Sequence, residues 1–185
     1  AYKSQDYNLA LKLGKPLLEQ GNSDVQHIIG TMYLKGHGVN KDYNKAFTLF
    51  SKSAAQNNAD GQAYLASLYF NGQGVKVDYK QAFSLYSQSA EQGHPSSTYN
   101  LAILYYKGQG TQKNKNKALQ FFKESASNNN MNAQYFVGQL YSEDSVIKRD
   151  YSEGLNWYDK AAKNGHTYAQ FKMGIMYSEG KGTSV

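Results

Sequence analysis

The sequence predicts an all-α protein, a right-handed α-α superhelix (solenoid) of about five 36-residue helix-turn-helix repeats. The first observation is that the segment YLKGHGVNKDYNKAFTLF, which starts at Tyr33, returns in related form at Tyr69, Tyr105 and Tyr141, and in part at Tyr177. The second is that these copies align without a gap. A fixed period of this length is typical of a solenoid that stacks one repeated unit.

The chain opens on half a repeat. Asp6 and Tyr7 align one period before Asp42 and Tyr43, so the first helix is of the type that ends each later repeat. Pro16 lies inside this helix, and we expect a bend there because proline removes one backbone hydrogen bond. We interpret residues 1–185 as a single repeat domain. The last repeat stops after its first helix, which leaves open an array that continues beyond residue 185.

Each repeat is predicted to contain a first helix, called A, and a second, called B. In the A helices an aliphatic residue, a small residue and a tyrosine recur, as in Val137, Gly138 and Tyr141. The i, i+4 apolar pair forms a buried stripe, and the small residue allows a neighbouring helix to approach closely. The A helices are predicted at 24–35, 60–71, 96–107, 132–143 and 168–179.

The B helices are predicted from their start, buried face and end, at 42–56, 78–92, 114–128 and 150–164. Good N-caps begin them, namely Asp42, Asp78, Asn114 and Asp150. Residues that tolerate a left-handed conformation end them, namely Asn57, Gly93, Asn129 and Gly165. The A-to-B loops carry two glycines, except where Asp144 and Val146 replace them. We expect a locally different loop there, because valine resists positive φ.

The residues that recur in each repeat match a known family. The framework resembles the Sel-one-like repeat, a relative of the tetratricopeptide repeat, over essentially the whole chain. It is carried by Ala133, Gln134, Val137, Gly138 and Tyr141, by Gly72, Gly74, Val75, Asp78, Ala82 and Phe83, and by Tyr158, Lys160, Ala161, Ala162 and Gly165. The departures are Pro16, Asp144 and Val146. The resemblance implies a non-catalytic adaptor that holds other proteins. The start of the chain resembles exported bacterial members, which implies a periplasmic or secreted protein, with a cytoplasmic location as the alternative.

Composition and motifs argue against several kinds of site. The net charge of +6 comes from nineteen lysines spread over the repeats and one arginine, so we read it as a solvated surface and expect no nucleic-acid partner. The chain has no cysteine and no apolar run long enough to cross a bilayer. Its histidines lack metal-ligand spacing, and no G-x-S-x-G elbow occurs. We therefore predict no metal, no cofactor and no catalytic residues.

On the tetratricopeptide plan, A-helix positions around the aliphatic residue line an inner groove. These positions vary between repeats while the framework stays constant, and several are aromatic, as is typical of binding hot spots. We predict that the groove binds a protein or peptide partner. The predicted contact residues are Phe70, Tyr99, Ile103, Tyr106, Asn132, Tyr135, Gln139, Tyr168, Phe171 and Ile175.

Three alternatives stay open. The chain could be purely structural, with its open ends stacking into a longer array. The aromatic side chains of this set could pack between neighbouring helices as ordinary core, since helical aromatic stripes are usually core. The chain could also be a cell-envelope hydrolase or a regulator of a cell-wall enzyme, as proposed for some relatives. The sequence shows no nucleophile-base pair that would favour hydrolysis.

Overall fold

A computed structural model describes residues 2, 4–143 and 148–182 of the chain. In these residues it contains ten α-helices and no strand, which confirms the all-α repeat architecture. The helices are α1 Tyr7–Glu19, α2 Ser23–Lys35, α3 Tyr43–Ala55, α4 Ala59–Asn71, α5 Tyr79–Glu91, α6 Pro95–Lys107, α7 Lys115–Ser127, α8 Met131–Glu143, α9 Tyr151–Lys163 and α10 Thr167–Ser178. Across the described segments, no helix is both long enough and apolar enough to span a membrane.

The even-numbered helices are the predicted A helices, and the odd-numbered helices are the B helices. Pro16 lies inside α1, and the bend expected there stays a prediction. The contacts divide the chain into two compact units. The first unit contains Ala1–Ser97 with Gln109–Thr111, and the second contains Thr98–Gly108 with Gln112–Val185.

The predicted caps of the B helices are confirmed. The side chain at each N-cap accepts a hydrogen bond from the amide three residues later, which satisfies a donor that has no partner inside the helix. These bonds are Lys45 N to Asp42 Oδ1 at 3.0 Å, Gln81 N to Asp78 Oδ1 at 3.0 Å, Lys117 N to Asn114 Oδ1 at 2.9 Å and Glu153 N to Asp150 Oδ1 at 2.9 Å. The residues predicted to end the helices have positive φ, at 60° for Asn57, 79° for Gly93, 59° for Asn129 and 89° for Gly165.

One backbone hydrogen bond, here called the repeat closure, joins each A helix to the B helix that follows. The amide of the B-helix N-cap donates to the carbonyl of the A-helix tyrosine. The four closures are Asp42 N to Tyr33 O at 2.9 Å, Asp78 N to Tyr69 O at 3.0 Å, Asn114 N to Tyr105 O at 2.9 Å and Asp150 N to Tyr141 O at 3.0 Å. Asp144 and Val146 lie outside the described residues, but the fourth closure shows that the two flanking helices keep the common register.

Close packing at the small A-helix residue, as predicted, is confirmed in two repeats. A Cβ atom added to Gly30 would lie 2.7 Å from Phe50 Cε1, and one added to Gly138 would lie 2.7 Å from Tyr158 Cδ1. Phe50 and Tyr158 are both fully buried. An aromatic ring of the B helix therefore fills the space that the missing side chain of the A helix leaves.

Amide side chains form a second polar link inside three repeats, which we call the amide latch. An amide at the end of the B helix donates to a glutamine in the first turn of the A helix. The latches are Gln56 Nε2 to Gln26 Oε1 at 2.9 Å, Gln92 Nε2 to Gln62 Oε1 at 2.7 Å and Asn164 Nδ2 to Gln134 Oε1 at 2.9 Å. The three accepting glutamines are buried, so each latch satisfies a polar group that would otherwise be costly.

The two loop glycines have different roles. Gly72 ends α4 with φ of 68°, a left-handed conformation that favours glycine. Gly74, with φ of 70°, instead packs against the start of the preceding B helix, because an added Cβ would lie 2.7 Å from Tyr43 O. Gly110 makes the equivalent approach to Tyr79 O. The second glycine is therefore needed for close backbone packing as well as for its conformation.

Candidate partner-binding surface

The predicted contact residues lie on the A helices of both units. Phe70 is in the first unit, half-buried, with its ring edge-on to Tyr79 at 5.6 Å between centroids. The other nine residues, from Tyr99 to Ile175, lie on α6, α8 and α10 of the second unit, and we call them the groove stripe.

The α6 end of the groove stripe is anchored in the hydrophobic core. The Tyr99 ring is half-buried and lies 5.8 Å from the Phe122 ring and 6.2 Å from the Phe136 ring. Burial raises the pKa of the Tyr99 hydroxyl. Tyr106 also contacts Phe136, at 6.3 Å, and Ile103 packs against the same core cluster. These contacts favour the core alternative for Tyr99.

Tyr135 in α8 is held by a ring of α9 and by the histidine that caps α10. Its ring is half-buried, tilted against Tyr158 of α9 at 5.5 Å and stacked on His166 at 4.5 Å with 11° between the planes. It also lies edge-on to Phe136 at 5.8 Å. Burial raises the pKa of the Tyr135 hydroxyl. The ring has a fixed orientation and keeps part of its surface open to solvent.

The α10 end of the groove stripe is open. Tyr168 is 71% exposed and Phe171 is 64% exposed, while Ile175 is half-buried. These three positions are separated by three and four residues, so they share one face of the helix. Large exposed apolar side chains that share a face are typical of interaction surfaces.

A polar network runs beside these rings. Gln139 Nε2 donates to Glu143 Oε2 at 3.1 Å, and Lys172 Nζ donates to Glu143 Oε1 at 2.6 Å. The hydrogen bond that Lys172 donates to Glu143 raises the pKa of Lys172, so the lysine stays charged. Asn132 is exposed. This surface therefore combines the aromatic rings and two amides of the groove stripe with one neighbouring charge pair.

Five residues at this surface were not predicted from the sequence: Phe136, Glu143, Tyr158, His166 and Lys172. The sequence contains one signal that could have identified Phe136. The position of Phe136 holds isoleucine, tyrosine, asparagine and lysine in the other repeats, so it varies as freely as the predicted groove positions. In the structure Phe136 stacks on Phe122 at 5.0 Å and contacts three tyrosines of the groove stripe.

Two histidines act as N-caps of A helices. His166 Nδ1 accepts a hydrogen bond from Ala169 N at 3.2 Å, and His94 Nδ1 accepts one from Ser97 N at 3.3 Å. Asparagine oxygens make this bond in the other repeats, as in Gly61 N to Asn58 Oδ1 at 2.9 Å. The histidine nitrogen accepts a hydrogen bond only when it carries no proton. Consistent with this, burial lowers the pKa of His166.

We expect the His166→Asn variant to lose less stability than the wild-type chain when the pH falls from about 7.5 to about 5. The pKa of His166 is lower in the folded chain, so its contribution is complete above its unfolded pKa near 6.5 and is lost as the pH falls through the folded value. Asparagine keeps the cap without titrating. Urea unfolding midpoints at the two pH values measure the difference. An identical acid loss in both chains would rule out this role for His166.

A serine, a histidine and an aspartate lie close together at the His94 cap in the first unit. Ser97 Oγ lies 3.0 Å from His94 Nδ1, and His94 Nε2 lies 3.3 Å from Asp60 Oδ1. Ser97 is fully buried, and its hydroxyl donates to Ser89 Oγ at 2.8 Å, which in turn donates to Ala59 O at 2.8 Å. A hydroxyl in this position has no access to a substrate, so the arrangement is a helix cap and a packing contact.

Among the residues that the structure describes, no group of three or more histidine, aspartate or glutamate side chains is placed to hold a metal ion.

The fold and this surface define an all-α repeat protein of the solenoid class, made of helix-turn-helix units. The family model described as Sel1 repeat matches residues 23–58, 59–94, 95–130, 132–166 and 167–185. The chain therefore belongs to the Sel1 repeat family, as the resemblance implied. Proteins of this family are generally protein-interaction scaffolds and typically non-catalytic. No curated protein sequence matches the chain significantly.

Solved bacterial structures resemble the chain over most of its length. A protective antigen of uropathogenic Escherichia coli that displays an SLR fold is 32% identical with a TM-score of 0.88, and the match covers 94% of this chain and 37% of the antigen. A Sel1 repeat protein from Oxalobacter formigenes is 30% identical with a TM-score of 0.87, and the match covers 99% of this chain and 75% of that protein. Helicobacter pylori cysteine rich protein B is 24% identical with a TM-score of 0.53, and the match covers 69% of this chain and 92% of that protein. This likeness shows the fold alone.

Proposed function

We propose that the chain is a non-catalytic adaptor that binds an extended or helical segment of a partner protein along the groove stripe. The observation that carries this proposal is the exposure of Tyr168 and Phe171 beside half-buried rings in the same stripe. Aromatic side chains dominate binding hot spots because one ring buries a large area with few rotatable bonds. The scaffold role of the family supports the same function.

The half-buried rings prepare this surface for binding. Tyr135 is fixed by its contacts with Phe136, Tyr158 and His166, so a partner that covers its open side orders few additional torsions. A surface that is already ordered in the free protein loses less conformational entropy on binding, so it binds its partner more tightly. Tyr135 therefore serves as a fixed support, and the exposed rings of α10 are the side chains that a partner buries.

The polar network provides directional contacts for the bound segment. The side chains of Lys172 and Glu143 are 31% and 40% exposed, so both are accessible to a partner. Main-chain and side-chain groups of a bound segment need hydrogen-bond partners when they lose water. Lys172 and Asn132 supply donors, and Glu143 supplies an acceptor.

The double variant Tyr168→Ala/Phe171→Ala is expected to weaken partner binding at least about 30-fold, which corresponds to the loss of a hot spot of about 2 kcal/mol. The partner is first captured with the wild-type chain from a lysate of the source cell and identified by mass spectrometry. Titration calorimetry then compares the variants with the purified partner. Both side chains are mostly exposed, so the variant is expected to keep its helical content.

Tyr177→Ala is the matched control. Tyr177 lies on the same helix and is 54% exposed, but it is the framework tyrosine and lies outside the groove stripe. The control is expected to bind like the wild-type chain. Equal affinity of the double variant and the wild type would place the binding surface elsewhere and contradict the proposal.

A further inference from the structure

Six rings form a continuous series across α6, α8 and the start of α10 in the second unit, and we call them the aromatic run. The centroid distances between neighbouring rings are 6.5 Å for Tyr168 and His166, 4.5 Å for His166 and Tyr135, 5.8 Å for Tyr135 and Phe136, 6.2 Å for Phe136 and Tyr99, and 6.3 Å for Phe136 and Tyr106. All six side chains keep part of their surface open to solvent, so a partner can lie against them.

The repeat framework does not require these rings. In the second full repeat, Ala63 holds the position of Tyr135 and Asp60 holds the position of Tyr168. Both positions lie on A helices, and the A helix of that repeat forms without an aromatic side chain at either of them. The aromatic run is therefore particular to the second unit and is not a property of every repeat.

The aromatic run carries a row of hydrogen-bond donors. A phenol hydroxyl can donate one hydrogen bond, and the run contains the hydroxyls of Tyr99, Tyr106, Tyr135 and Tyr168. No hydrogen bond joins any of them to a described residue, and none is buried without a partner, so all four reach solvent. His166 adds a fifth donor. Its Nδ1 atom accepts the amide hydrogen of Ala169, so the proton of the neutral ring lies on Nε2.

These donors distinguish between the conformations that a bound segment can take. The carbonyl groups of an α-helical segment accept hydrogen bonds from their own helix, except in its last turn. An extended strand is recognised at the edge of a sheet, and the described part of the chain has no strand. A polyproline II segment has no internal hydrogen bonds, so its carbonyl groups are free to accept. Its prolines have no N–H group, so they need no acceptor from the surface.

The charged residues argue against an acidic or phosphorylated segment. Recognition of such segments relies on clusters of arginine. The chain has a single arginine, Arg149, which precedes α9 and lies outside the aromatic run. Lys172, beside the run, already forms an ion pair with Glu143 at 2.6 Å. What the run itself offers to a partner is ring faces and neutral donors.

We propose that the aromatic run binds a proline-rich segment in the polyproline II conformation. Prolines of the segment pack on the ring faces, and its carbonyl groups accept hydrogens from the tyrosine hydroxyls and from His166 Nε2. Such a segment is largely in this conformation before it binds, so binding costs little conformational entropy. As a description of the partner this rests on the proposed adaptor function, but affinity for a proline segment is a property of the chain alone.

The test uses a blocked nonaproline peptide as the probe. A glycine-serine peptide of the same length is the flexible control, and a peptide of EAAAK repeats is the helical control. We expect the backbone amide NMR signals of α8 and α10 to shift saturably with nonaproline. The flexible control is expected to bind at least about 10-fold more weakly, because it must be ordered on binding. The helical control is expected to leave the signals unchanged.

A change of one hydroxyl tests the donors. Tyr135→Phe keeps the ring and removes one donor, so it is expected to weaken nonaproline binding about 3- to 10-fold. Tyr177→Phe is the matched control, because Tyr177 lies on α10 outside the aromatic run and is 54% exposed. It should keep the affinity of the wild type. Far-UV circular dichroism checks that each variant keeps its helices.

Three results would each overturn the proposal. Nonaproline could cause no saturable shift, a control peptide could bind as tightly as nonaproline, or Tyr135→Phe could bind nonaproline as tightly as the wild type.

These results are independent of the adaptor test. If the double variant Tyr168→Ala/Phe171→Ala binds the captured partner normally, the groove function fails whatever nonaproline does. If the partner needs those rings but nonaproline does not displace it, the groove function stands and the polyproline II assignment is wrong.

Discussion

Phe122→Ala is expected to lower the free energy of unfolding by about 3 to 5 kcal/mol. Phe122 is fully buried in the core cluster of the second unit, and its ring stacks on Phe136 with 4° between the planes. The loss combines the transfer free energy of the ring with the cavity left behind. Urea unfolding followed by the fluorescence of Trp157 measures it, because Trp157 packs against the same cluster.

Phe171→Ala makes the same chemical change at a position that is 64% exposed. It is expected to change the free energy of unfolding by no more than about 0.5 kcal/mol, as is usual for surface positions. A loss at Phe171 as large as the loss at Phe122 would show that α10 is covered in solution. It would then contradict the open surface on which the proposed function depends.

Gly74→Ala is expected to lower the free energy of unfolding by about 3 kcal/mol. The backbone at Gly74 has φ of 70°, which costs a residue with a Cβ about 1 to 2 kcal/mol. The added Cβ would also lie 2.7 Å from Tyr43 O and 2.8 Å from Tyr43 C, so the loop would have to move away from the start of α3. Thermal unfolding followed by far-UV circular dichroism gives the change in Tm.

Gly93→Ala separates these two causes. Gly93 has φ of 79°, but an added Cβ would meet no atom within 4 Å. We therefore expect only the conformational cost, about 1 to 2 kcal/mol. The difference between the two variants measures the close approach to Tyr43. Equal losses would mean that the loop relaxes freely and that the second glycine is needed only for its backbone conformation.

The helices could be predicted from the sequence because their signals are local. Asp42 as N-cap and Asn57 as the left-handed terminator act on residues within one turn of themselves. The same signals recur in each repeat, so an error in one copy is corrected by the others. Each repeat closure joins a tyrosine to the N-cap nine residues later, so it also depends on residues close in the sequence. The fourth closure is present although Asp144 and Val146 replace the loop glycines.

The exposure of the groove residues could not be predicted, because it depends on residues far along the chain. Tyr99 and Phe171 occupy the same position in their repeats. Tyr99 is covered by Phe122 and Phe136, whereas Phe171 makes no ring contact with any described residue and is mostly exposed.

The amide latches have a consequence for how such a chain evolves. Both partners of each latch fall within one family repeat, as Gln26 and Gln56 do in 23–58 and Gln62 and Gln92 do in 59–94. Unequal recombination in register therefore inherits donor and acceptor together, whereas recombination out of register separates them and buries an amide without a partner. The gene can lengthen or shorten by whole repeats at little cost in hydrogen bonding, so array length can diverge between relatives faster than the repeat framework itself.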